Sequence, residues 1–133
     1  MPVELEMILR ILLAVVLGSA IGFQRSKAEK PAGMRDIILI CAGAALFTII
    51  SIYGFNVGDP ARVAAGIVTG IGFLGAGAII RRGEAGVVKG LTTAATIWVA
   101  AGIGMAAGAG MYIIAPISTL LVLLVLLIPR QTP

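Results

Sequence analysis

Thr92, Thr93 and Thr96 stand together beside Lys89, Arg10 and Arg62 each lie just inside an apolar run, and Gly70-Ile71-Gly72-Phe73-Leu74-Gly75 spells a glycine pattern known from phosphate-binding turns. The threonine hydroxyls could coordinate an ion or an anion, although hydroxyls in membrane helices ordinarily bond back to their own backbone or across to a neighbour. An arginine within a membrane span is a functional candidate by default. Here Glu6 lies four residues before Arg10 and Asp59 three before Arg62, so each has a partner at helix spacing and a stem long enough to snorkel. Of the two, Arg62 is the stronger candidate. The G-x-G-x-x-G match fails as a nucleotide site, because that fingerprint needs a preceding strand and a later acidic residue within a βαβ unit. Its glycines read as packing positions. With Gly77 following Gly75, they could also mark a local break in the helix where a ligand is buried.

What is missing narrows the chemistry further. There is no histidine, and the one cysteine, Cys41, sits inside an apolar run, so an internal disulfide, a zinc site and His-dependent acid–base catalysis are excluded. Cys41 is read as a small packing residue. No Asp or Glu lies well inside an apolar run, whereas magnesium dehydrates reluctantly and relies on carboxylates and retained waters. A dedicated magnesium path through one chain, a metal site and a resident cofactor are therefore not expected. Without a nucleophile, base or metal, neither is enzymatic activity. The net charge of +4 is not arranged as a basic patch interleaved with aromatics, so no nucleic-acid partner is expected.

The elements that must position these residues are membrane helices. Of 133 residues 59% are hydrophobic and 12% charged, and mean hydropathy is +1.10, far from a soluble domain. Five spans can be drawn, at residues 7–23, 37–55, 61–80, 90–107 and 112–128, each near the ~17 to 25 residues needed to cross a bilayer. Residues 1–133 thus form a single transmembrane domain. Glu4 and Glu6 stand where a secretory signal would be basic, so the first span is expected to be retained. Arg25, Lys27, Lys30 and Arg35, then Arg81, Arg82 and Lys89, then Arg130 mark three cytoplasmic segments, which predicts N-terminus out and C-terminus in. Asp59 and Pro60 form a helix-start signal for the third span, residues 30–33 break the chain before the second, and Ala109-Gly110 allows a tight turn before the fifth. Trp98 fits either an interface or the interior.

Small residues set the packing expectation. Arg10, Ala14, Gly18 and Gly22 recur at four-residue steps in the first span, as do Arg62, Gly66 and Gly70 in the third and Thr92, Thr96, Ala100, Gly104 and Gly108 in the fourth. Such ladders let membrane helices approach closely. The predicted fold is an all-α integral membrane bundle of about five transmembrane helices with Gly-rich, close-packed third and fourth helices.

Three segments, GSAIGFQRSKAEKPAGMRD, DPARVAAGIVTGIGFLGAGAIIRRG and VVKGLTTAATIWVAAGIGMAAGAG, give the chain a more specific character. In that order they resemble the N-terminal membrane domain of the MgtC/SapB family, nearly end to end. The resemblance implies a small bacterial inner-membrane protein linked to growth at low magnesium, and in some members to restraint of the ATP synthase. Carried onto this sequence, it implicates Arg25, Ala32, Gly33 and Arg35, then Arg62 with Gly70, Gly72, Gly75 and Gly77, then Gly90, Leu91, Thr92, Thr93 and Thr96; Asp59, beside Arg62, is a further candidate polar residue read from the sequence itself. Gln24 stands where the family pattern usually has Glu, which removes a charge beside Arg25.

The reading that follows is a non-enzymatic inner-membrane protein that forms a homodimer or other homo-oligomer in the lipid bilayer. It would modulate another membrane protein, such as the ATP synthase, under magnesium or acid stress. The rival is a transporter or channel for an ion or small solute, with the glycine segment and the threonines as its site.

Overall fold

A computed structural model describes residues 2–55, 58–82 and 89–129, and all of its regular structure is helical. The expectations placed on Arg130 and on the side chains of Arg81 and Arg82 lie outside the described residues. The helices are α1 (Val3–Lys27), α2 (Met34–Tyr53), α3 (Pro60–Arg82), α4 (Leu91–Gly108) and α5 (Ile114–Val125). Four are long and apolar enough to cross a membrane; α5, with 12 residues, is shorter.

The expected punctuation forms as read. The Asp59 carboxylate accepts the Ala61 N–H at 3.0 Å, and Pro60 opens α3. After α4, Gly110 takes φ +80°, and the Gly110 and Met111 N–H groups reach back to the Ala107 and Ala106 carbonyls at 3.0 and 2.9 Å. This is a Schellman closure with glycine in its left-handed position. The end of α1 closes the same way, but through Glu29, a non-glycine residue at φ +57°. Ser26, still on α1, then accepts the first N–H of α2, from Met34, at 2.8 Å. A side chain from one helix thereby supplies the cap that Gly33 cannot.

Each helix reverses the one before it. Contacts such as Gly22 with Met34, Gly104 with Cys41, and Thr92 on the same cavity as Leu126 set α1, α3 and α5 against α2 and α4. Arg25 and Pro129 therefore share one end of the bundle, and Glu6 and Arg10 lie at the other.

The centre of the bundle is α4, with 56% of its most apolar window buried against 11% for α3. Small residues surround it, so α1, α2, α3 and α5 can all approach. A Cβ at Gly104 would strike the Cys41 carbonyl and lie 2.9 Å from the Ala44 Cβ. Cys41 is a buried packing residue, its thiol donating to the Ala100 carbonyl at 3.2 Å. The core around this contact comprises Ala14, Ile21, Ile37, Cys41, Ala45, Ala100, Ile103 and Ala107.

Two expectations need correction, and one alternative left open by the sequence is decided. Among the described residues the third helix is not close-packed: it rests there on α2 and α4 only, and a Cβ at Gly66, Gly70, Gly72 or Gly77 would meet none of them within 4 Å. Gly75 alone in that run touches a neighbour, at an ordinary 3.7 Å from Ala94. With α4 already surrounded, α3 takes an edge place and turns its small residues outward. The helix is also continuous through the glycine run, since in an apolar setting its own backbone hydrogen bonds are the cheapest available. Finally, the fifth apolar run loses α-helical form after Val125, where Leu127 and Ile128 bond back three residues instead of four. Apolar composition continues past the helix end, so the sequence overstated its length. Trp98, open as interface or interior, is 59% exposed on the outer face of the middle of α4.

Candidate functional site

Arg25 occupies the last turn of α1 and is 2% exposed. Its Nη2 donates to the Pro31 carbonyl at 2.8 Å and to the Thr93 hydroxyl in the first turn of α4. The guanidinium thus joins the end of α1, the following loop and the start of α4. Charge-assisted bonds of this kind are worth more than neutral ones in a dry setting. Gly90 initiates α4 from a left-handed backbone, φ +84°, and offers no side-chain cap. Thr96 donates back to the Thr92 carbonyl at 2.7 Å, so of the three expected hydroxyls one bonds across the bundle and one along its own helix.

Thr92 lines a cavity of about 290 Å³ together with Gln24, Arg25 and Lys30 on one side and Val125, Leu126, Ile128 and Pro129 on the other. The Gln24 Oε1 is buried and has no hydrogen-bond partner. Gln24 entered the sequence reading only as a departure from a family pattern, and Lys30 only as a topology marker and the start of a chain break. Nothing local announced that both border a cavity with Thr92, since that depends on how α1 and α5 close over the start of α4.

A second polar cluster lies at the opposite end. Arg10, 8% exposed, donates from Nη1 to the Gly108 carbonyl at 3.0 Å and pairs through Nη2 with Glu6 at 3.1 Å. The guanidinium also stands over the Tyr53 ring, 5.4 Å from its centroid, while the Tyr112 hydroxyl donates to Glu6 at 3.4 Å. A cation is favourable where the α4 dipole ends in unpaired carbonyls.

The sequence-derived residues divide accordingly. Arg25, Gly90, Thr92, Thr93 and Thr96 come together, and Gly104 packs at the α2–α4 crossing. Arg35, Asp59 and Arg62 are exposed and stand apart from that cluster. The helix-spaced ion pair expected for Arg62 is replaced by the Asp59 cap on Ala61. Gly66 and Gly70, with Gly43 of α2, instead line an outward-facing apolar cleft of about 570 Å³ between α2 and α3. Among the described residues, no three His, Cys, Asp or Glu gather as a metal site would require.

The MgtC family profile matches residues 11–132. Escherichia coli K12 YhiD, whose name carries a provisional magnesium-transporter label, is 47% identical over 95% of this chain and 61% of its own length. Salmonella typhimurium LT2 MgtC is 44% identical over 93% of the chain and 52% of its own length, and an uncharacterized Synechocystis protein is 42% identical over 89% and 50%. The chain thus spans roughly half to three-fifths of the length of these curated relatives. No solved structure matches it.

Proposed function

The chain belongs to the MgtC family, and from that premise we propose that it is a non-enzymatic, multi-pass protein of the bacterial inner membrane that modulates another membrane protein during adaptation to low magnesium or acid stress. One observation carries the choice of modulator over transporter. The two buried polar clusters, at Arg10 and Arg25, are separated by a layer of Ala14, Ile21, Ile37, Cys41, Ala100 and Ile103. Arg10 and Arg25 are fifteen residues apart on α1, which puts about 22 Å between the clusters. A hydrated cation crossing that layer would lose its water and meet no carboxylate among the described residues, while the buried Thr119 hydroxyl of α5 is already committed to the Ala115 carbonyl, so the cost of that exchange is prohibitive. The partner that fits is an integral membrane complex, the ATP synthase being the one the resemblance points to, with a second copy of this chain as a further neighbour in the bilayer.

The transporter reading is the one suggested by the label of the E. coli relative. Purified protein in liposomes loaded with a magnesium-sensitive dye separates the two. Uptake no greater than in empty vesicles is the expected result. Saturable magnesium uptake that Thr92→Ala abolishes would overturn the modulator reading.

A further inference from the structure

We propose that the cavity between the end of α1, the start of α4 and the end of α5 binds a phosphate-bearing anion, its charge held by the α1–α4 wall and any apolar portion lying against α5. The assignment stands independently of the modulator reading. Arg25, Lys30 and Thr92, two cationic residues and one that carries a hydroxyl, line the cavity, and no carboxylate is among its described lining residues. Arg25 is held in place by Pro31 and Thr93, so its charge is fixed at this end of the bundle before any ligand arrives. Lys30 adds a second cation from the exposed loop. Thr92 belongs to the first turn of an 18-residue helix whose N-cap is Gly90 and lacks a side-chain cap, so the positive end of the α4 dipole adds to the same field.

Gln24 supplies the observation that asks for a ligand. Its Oε1 is buried with no partner although the residue borders the cavity. An amide can present either its oxygen or its NH₂ by a half-turn. It can therefore accept from a protonated phosphate or donate to an ionised one. At about 290 Å³ the space is several times the ~30 Å³ share of one water in the liquid, so a lone water does not fill it. The opposite wall, Val125, Leu126, Ile128 and Pro129, is apolar. An anion joined to a short apolar body satisfies both walls. A phospholipid headgroup and free phosphate share the anionic chemistry.

The test uses the full chain in a non-ionic detergent, with thermal stabilisation read against three probes: inorganic phosphate, dihexanoyl-phosphatidylglycerol, and dihexanoylglycerol, which lacks the phosphate. Stabilisation by either phosphate-bearing probe and not by dihexanoylglycerol is expected. Response to phosphatidylglycerol alone identifies a lipid source, and response to inorganic phosphate a soluble one. Lys30→Gln and Thr92→Val should each weaken the effective probe by at least about tenfold, the loss of a charge-assisted contact. Gln24→Glu should weaken it as much by placing a carboxylate beside the anion. Lys27→Gln, a neighbouring exposed charge that does not line the cavity, should leave affinity unchanged. Equal stabilisation by dihexanoylglycerol, no stabilisation by any probe, or equal losses in Lys27→Gln and Lys30→Gln would each overturn the proposal.

Discussion

Arg10 of α1 reaches across 98 positions of sequence to donate a 3.0 Å hydrogen bond to the carbonyl of Gly108, in the last turn of α4. Fifteen residues further along α1, Arg25 makes the corresponding link to Thr93 in the first turn of α4. One helix therefore grips its neighbour at both ends, and the apolar core is held between the two grips.

Removing the first grip should be costly. Arg10→Met leaves the Gly108 carbonyl and Glu6 without their cation, and a loss of about 2–4 kcal/mol is expected, read as a lower unfolding midpoint in detergent. Arg62→Met, at an exposed position, should stay within about 0.5 kcal/mol of the parent. Equal effects would mean that the Arg10 contacts contribute nothing beyond the charge.

Glycine-to-leucine changes should separate two helices that look alike in sequence. Gly104→Leu forces α4 away from Cys41 and Ala44 and should cost about 1–3 kcal/mol or more. Gly70→Leu meets only open space within the chain, and the monomer should unfold as the parent does. A loss at Gly70 as large as at Gly104, appearing only at protein concentrations where oligomers form, would locate a second copy against α3.

At Glu29 a glycine should help. The residue sits at φ +57° just past α1, where an L side chain is strained and a negative charge opposes the helix dipole. Glu29→Gly is expected to raise stability by about 1 kcal/mol, measured by thermal or denaturant unfolding in detergent micelles. A lower midpoint would show that the Glu29 carboxylate makes a contact worth more than the strain.

Orientation in the membrane is testable by fusion. The excess of Lys and Arg in the α1–α2 and α3–α4 connections predicts that a reporter after residue 129 is cytoplasmic and one in the α2–α3 connection is outside. Labelling of the two reporters on the same side would remove α5 as a span, which its 12 residues make a real alternative outcome.

The existence of the helices and most of their starts and stops were legible because they are local matters, the early end of α5 being the exception. Apolar length, the Asp59-Pro60 cap and Gly110 act within a few residues of themselves and formed as read. The placement of Cys41 followed from its apolar surroundings alone. Partner choice was not legible. Arg10-Ala14-Gly18-Gly22 and Arg62-Gly66-Gly70 carry the same four-residue ladder, yet the first is buried against α2 and α4 and the second faces outward. A ladder records that a helix can be approached closely, not by which neighbour or whether one comes. In a bilayer the hydrophobic effect does not rank the faces of an apolar helix, so van der Waals fit and a few polar links decide the arrangement. Those links, from Arg10 to Gly108 and from Arg25 to Thr93, join residues far apart in the chain, and only the folded bundle brought them together.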